Sequence, residues 1–339
     1  MTRLRLTATI GVVLALLLTA CGGGVTDGGP LSPGEGDDPA PPTEPDDEGD
    51  APADAEEPEE PADTDDDDTT EAADDADDGS DDDGTDAAPP ANTMTVRLYF
   101  LAPGGGTPAR SDPFLISVER ELEATPRVAH ATVRALIDGP SRADEQLIDG
   151  ISSAVPEETL LLGITIDDRV ATVDLSREFE SGGGSLSMFA RLAQVVYAVT
   201  QFPTVDAVEF RLEGDPVTVF SGEGIVLDGP IARDDYVDLL PTIFIDTPAA
   251  GAEVALPLRL TGKAAVFEAT FQYRVTAADG TVLAEGFTMS DSGVGWGSID
   301  VTLDVDVDAP TDAVLSVWEY SARDGSIQAE RDTPIRLVP

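Results

Sequence analysis

Val128-Ala129-His130-Ala131-Thr132-Val133-Arg134-Ala135-Leu136-Ile137, closed by Asp138-Gly139-Pro140, decides the fold class. Its apolar positions recur at helical spacing behind Pro126, and Asp-Gly-Pro stops it, so it predicts one amphipathic helix over 128–137. The flanking sequence is strand-like. Val96, Leu98 and Phe100 alternate with polar or half-buried positions, and Pro103-Gly104-Gly105-Gly106 ends that strand. Phe114 to Leu122 reads as a second strand. Downstream, Leu160, Leu162, Ile164 and Ile166 share a strand face that turns at Asp167-Asp168, and the chain returns through Ala171, Val173 and Leu175. A second helix is expected over Ser185 to Thr200, with Leu186, Phe189, Ala193 and Val196 as its buried stripe. Val205 to Leu212 and Val217 to Phe220 are further strands. Residues 94–240 therefore read as an α+β domain, a small sheet with two helices on one face.

Near Leu240-Pro241 the pattern changes to short alternating runs: Ile243 to Ile245, Val254 to Leu260, Ala269 to Ala277, Val282 to Met289, Ile299 to Val305, Ala313 to Ser321 and Thr333 to Val338. Asp279-Gly280 and Asp324-Gly325 are hairpin signals. Residues 241–339 are expected to form an all-β immunoglobulin-like sandwich. It lacks the antibody-type bridge, because Cys21 is the only cysteine of the 339 residues.

Several segments carry a resemblance. Val96-Arg97-Leu98-Tyr99-Phe100, Ala135 to Pro140, Val155-Pro156-Glu157-Glu158-Thr159, Ala171 to Ser176 and Thr200 to Val205 together resemble the GerMN domain of bacterial sporulation and germination proteins and envelope lipoproteins. Glu213-Gly214-Asp215-Pro216 departs slightly from that family's usual turn. Gly262 to Ala269 and Trp318 to Gly325 resemble the immunoglobulin-like (Gmad) domain that accompanies GerMN in spore-germination-type proteins. The resemblance implies a non-catalytic domain for envelope assembly or for modulating membrane-bound partners. It also implies a fold similar to the ring-building modules of secretion-like complexes.

The N-terminus addresses location. Arg3 and Arg5 precede an apolar run from Leu6 to Ala20, shorter than the roughly 20 residues of a spanning helix, so residues 1–20 read as a signal peptide. Leu18-Thr19-Ala20-Cys21, followed by three glycines, resembles a bacterial lipobox, which makes Cys21 the expected lipidation site and the cell membrane, on its extracytoplasmic side, the expected location. Residues 21–93 then read as a disordered acidic linker. From Gly22 to Thr93 there are 28 Asp or Glu and no Lys, Arg or aromatic residue. A solvated spacer is the plain reading, and a calcium or cationic-partner sink the sharper one.

Residues 94–339 hold 39 acids against 17 basic residues, a net of −22. That charge argues against nucleic acid as a partner. His130 is the only histidine and falls on the first helix, where a partly exposed surface position is expected rather than a base. Ser181-Gly182-Gly183-Gly184-Ser185 has no following lysine and reads as a loop with Ser185 near the helix N-cap. Asp304, Asp306 and Asp308 alternate, but Ala309 and Leu315 stand where an EF-hand needs Gly and Glu, which leaves a solvated face or weak calcium binding. Trp296, Trp318 and Tyr320 read as a ligand-stacking face or, for Trp318, as sandwich core. No catalytic, cofactor or metal residue is assigned. The expected function is a non-enzymatic lipoprotein that binds envelope proteins. Binding of cell-wall glycan is the alternative, and a carboxylate-based hydrolase comes third. Replacing Cys21 by Ser is expected to move the chain out of the membrane fraction or leave its leader uncut; unchanged fractionation would contradict lipidation.

Overall fold

The computed structural model describes residues 92–104 and 113–339. The expected signal peptide, Cys21 and nearly all of the acidic linker lie outside the described residues. The first half is built from β1 (Thr93–Ala102), β2 (Phe114–Glu123), α1 (Val128–Ile137), α2 (Arg142–Leu147), β3 (Leu161–Asp167), β4 (Val170–Leu175), α3 (Ser185–Val199) and β5 (Ala207–Leu212). The short β6 (Asp215–Pro216), β7 (Val219–Phe220) and β8 (Ile225–Val226) follow, then a 3-10 segment over Arg233–Leu239. The second half holds β9 (Ile243–Thr247), β10 (Glu253–Ala255), β11 (Leu258–Ala264), β12 (Thr270–Ala277), β13 (Val282–Met289), β14 (Gly297–Leu303), β15 (Thr311–Tyr320) and β16 (Ile327–Val338).

The first half is α+β. β1 and β2 form a ten-rung antiparallel hairpin, and a separate sheet runs in the order β3-β4-β5-β6. β4 and β5 are parallel, with α3 as their crossover. The β3–β4 turn places Asp168 and Arg169 at φ of 45° and 66°, so its two central residues fall one position later than expected. α2 was not anticipated. Ser141 and Asp144 form a reciprocal capping box at its start, and the buried Asp144 also receives Arg120.

Two burial patterns differ from expectation, and the structure sets a third that the sequence reading left open. In β1, Leu98 to Ala102 are all buried, because the helices cover one face and the second half approaches the other. In α3, Leu186 and Phe189 remain exposed, while every residue from Ala190 to Val199 is buried. α1, β1 and the 233–239 segment surround the later turns, and the first turn projects beyond them. Around β3, Leu160, Leu162 and Ile166 are exposed, while Leu161 and Ile164 pack partly on the core; β3 is the sheet edge.

The second half is a sandwich of two sheets, β10-β16-β15-β12-β13 against β14-β11-β9. Leu258, Leu260, Phe271, Val275, Leu315, Val317 and Leu337 fill the space between them. The Asp279-Gly280 and Asp324-Gly325 turns close the β12–β13 and β15–β16 hairpins, with Gly280 and Gly325 at positive φ. At the bulge where β11 meets β9, a Cβ on Gly262 would lie 2.0 Å from the Phe244 carbonyl oxygen, so only glycine permits that approach.

β9 joins the halves. Successive side chains of a strand point to opposite faces, and here Ile243 and Ile245 enter the sandwich core while Phe244 enters the first core, edge-on to Tyr197 at 5.9 Å. Asp246 follows on the Phe244 side. Its carboxylate accepts from Tyr99 Oη at 2.6 Å and from Arg233 at 2.9 Å. Arg233 also donates to Tyr99 Oη (2.9 Å), the Tyr197 carbonyl (2.8 Å) and Thr200 Oγ1 (2.8 Å), and lies 4.7 Å from the Tyr197 ring centre. Arg97 adds bonds to Tyr99 Oη and Thr247 Oγ1, both 3.2 Å. Nearby, the Glu119 amide donates to the Ala250 carbonyl and the Ala250 amide to that of Ser117.

Asp246→Asn keeps the shape of this cluster and removes its negative charge. A hydrogen bond to a charged group contributes about 1.5–3 kcal/mol, so a loss of at least about 2 kcal/mol is expected. In a chain of this size that lowers the melting temperature by about 4–8 °C; a shift below about 1 °C would sink the assignment. Burial, with the Asp246 carboxylate, holds the Tyr99 phenol up at about 12, against the opposing pull of Arg233 and Arg97. Burial likewise raises Tyr197 and Tyr236. A raised phenol supports the folded state fully below pH about 10 and withdraws that support as pH climbs to about 12. Denaturant midpoints should therefore fall across that window, with the folded chain developing phenolate absorbance later than the unfolded chain.

Candidate interaction surface

The polar residues singled out in the sequence do not converge. Among the described residues, no group of three or more His, Cys, Asp or Glu is placed to hold a metal ion. Asp304, Asp306 and Asp308 alternate with the buried Val305 and Val307 and face solvent on an extended segment after β14. The glycine loop is occupied from within. Gly184, not Ser185, is the N-cap of α3, and the buried Arg191 donates to the carbonyls of Phe179 (2.6 Å), Ser181 (2.9 Å) and Gly182 (3.0 Å). Burial lowers the pKa of that guanidinium. Ser185 Oγ bonds the Glu223 carboxylate, so the chain supplies its own negative charge where the positive end of α3 would seat an anion.

The aromatic trio is divided. Trp318 is buried with the Arg274 guanidinium 5.4 Å from its ring centre, and Tyr320 stands edge-on to it at 6.4 Å, half exposed. Trp296, from the loop before β14, packs instead against the core of the first half. On the outer face of the larger sheet, register places Gln272 between Phe287 and Trp318, so Phe287, Trp318 and Tyr320 share that side. Phe287 is 68% exposed.

An apolar groove lies at the β3 edge. Leu162, Ile164 and Ile166 line one wall of a groove of about 600 Å³, with Pro126, Val128 and His130 opposite and Phe202-Pro203 at its end. His130 is half-buried there, on α1 as expected. No carboxylate lines the groove, and Arg127 borders it. Periodicity puts Leu160, Leu162, Ile164 and Ile166 on one face without saying whether that face is covered; α1 is only ten residues long, about 15 Å, and cannot cover a whole strand edge.

Residues 97–218 match the family model described as sporulation and spore germination. Residues 242–326 match the immunoglobulin-like domain of bacterial spore germination. No curated protein matches the chain. Among solved structures, the first GerMN domain of the sporulation protein GerM from Bacillus subtilis is similar at 20% identity and a TM-score of 0.34, covering 42% of this chain and 99% of that one. The tandem GerMN domains of the same protein are similar at 13% identity and a TM-score of 0.36, covering 73% of this chain and 61% of theirs. The two family matches, side by side and in this order, support a GerMN-type domain over 97–218 followed by a Gmad-type immunoglobulin-like domain over 242–326.

Proposed function

We propose that this chain is a lipid-anchored protein of the cell envelope that presents its GerMN and immunoglobulin-like domains, as one unit, to protein partners outside the cytoplasmic membrane. Cys21 is the anchor in this reading, and residues 22–91 span the distance to the folded part. The observation that carries the binding role is the apolar edge of β3, where Leu160, Leu162 and Ile166 remain exposed beside a groove on an otherwise acidic chain. An edge strand offers unpaired backbone groups, and apolar side chains next to it supply selectivity for an incoming segment. Domains of these two families point to interaction rather than to a reaction. The role is non-enzymatic, and the partner belongs to a membrane-bound or envelope assembly.

A second reading has its own observation. Phe287 and Tyr320 on the outer sheet face suit a sugar ring, so cell-wall glycan is the alternative ligand. A photo-crosslinking residue at Leu162 in cells, followed by partner identification, separates the two. A discrete protein adduct at Leu162 that is lost in Ile166→Asp is expected. No adduct there, with retention on purified wall that is lost in Phe287→Ala, would favour glycan. Release of wall fragments by the purified protein would overturn both.

A further inference from the structure

β3 bonds a neighbour on one side only. In the sheet order β3-β4-β5-β6 its partner is β4, antiparallel and in register from Gly163 opposite Asp174 to Asp167 opposite Val170. Asp167 and Val170 flank a two-residue turn, so they are a hydrogen-bonded pair, and the alternation of an antiparallel ladder makes Thr165 and Thr172 another. The backbone amides and carbonyls of Ile164 and Ile166 therefore point away from β4, toward the open edge. Among the described residues no strand or isolated bridge pairs with that edge.

The groove lies where the side chains of a further strand would go. Ile164 and Ile166 stand opposite Val173 and Ala171, which are fully buried in the first core, so both isoleucines are on the core-facing side of the sheet. Across the groove from them stand Pro126, Val128 and His130, at the start of α1. Neighbouring strands lie about 4.8 Å apart and their side chains alternate between faces, so a strand laid along β3 directs every second side chain into this space. Those side chains would cover Leu162 and Ile166, which are 49% and 45% exposed.

The charge around the groove is also one-sided. Arg127 borders it, no carboxylate lines it, and α1 carries no acid in its first turn, on a chain that is acidic as a whole. A carboxylate arriving here meets Arg127 and the positive end of a helix, whereas a basic side chain is repelled.

We propose that β3 accepts, as a fifth strand of its sheet, an extended segment of a partner protein whose alternate residues are apolar and which carries a carboxylate beside them for Arg127. The inference rests on the reading of the β3 edge as a protein-contact surface, and adds to it the backbone mode and the chemistry of the incoming segment. Main-chain bonds to Ile164 and Ile166 supply affinity, and the groove selects the side chains.

Random dodecapeptides displayed on phage and selected on the full chain test this. Enriched peptides should alternate apolar and polar residues over about five positions, carry Asp or Glu, and bind at least about tenfold more weakly to Ile166→Asp. A synthetic copy of one should slow hydrogen exchange at the Ile164 and Ile166 amides at least about tenfold, and leave the Thr165 amide, already bonded to β4, little changed. N-methylation of those peptide amides that face β3 should abolish binding, and N-methylation of the intervening ones should not. Arg127→Gln should weaken the peptide about threefold or more, with no effect on a copy whose acid is changed to its amide. Peptides that need Ile166 but are basic, follow a helical pattern or leave the Ile164 and Ile166 amides exchanging freely would overturn strand addition and keep the edge as a contact surface. So would an Arg127→Gln effect equal for the acid and amide copies. Enrichment only of peptides indifferent to Ile166→Asp, or of none, would overturn the contact surface itself and this inference with it.

Discussion

β9 is the constraint on which the described structure depends. One five-residue strand contributes Ile243 and Ile245 to the sandwich core and Phe244 to the core of the first half, then places Asp246 against Tyr99 and Arg233. Bringing a guanidinium and a carboxylate out of water is unfavourable unless both are fully engaged. Here Arg233 spends its donors on Asp246, Tyr99 Oη, the Tyr197 carbonyl and Thr200 Oγ1, and its planar face meets two tyrosine rings. The two domains therefore share packing as well as chain connectivity, and Trp296 adds a further apolar contact from the sandwich side.

That coupling gives the surface its meaning. An interaction domain works when its contact groups are held in place before the partner arrives, because ordering them at the moment of binding costs affinity. The β3 groove belongs to a sheet fixed by α3, and α3 is fixed by the same Arg233 cluster that grips β9. The outer face bearing Phe287 belongs to the sandwich on the other side of that strand. The two candidate faces are thus presented in one fixed relation. The glycine loop before α3, which could have been mistaken for an anion seat, is filled by Arg191 and Glu223 and serves the packing of the helix.

Much of the architecture was legible in the sequence because it is locally encoded. α1 has its expected bounds, set by Pro126 before it and Asp138-Gly139-Pro140 after it, and the Asp-Gly hairpins of the sandwich follow from the positive φ that glycine permits. α2 was also local, since Ser141-x-x-Asp144 is a capping signal, but six residues give too little periodicity to be noticed. What was not legible came from neighbours. The burial phase of α3 depends on which elements surround its later turns, and the exposure of β3 depends on its being an edge. The Tyr99–Asp246 bond links residues 147 positions apart, and nothing in either local sequence announces it. The apolar groove was illegible for the same reason, since Phe202, His130 and Leu162 come together only through the packing of α1 on the sheet.

The alternation in β9 also bears on how this chain can vary in length. Junctions between domains are ordinarily where a chain tolerates insertions, because few contacts cross them. Here Pro241 and Thr242 lead directly into a strand whose odd and even positions feed different cores. A single residue added within that strand would reverse the facing of every side chain beyond it. The same change would put Asp246 into an apolar core and strip Arg233 of its counter-ion. The seam between the two domains is accordingly the least editable part of the described chain, and lineages carrying this pair are expected to keep its length fixed while their loops drift.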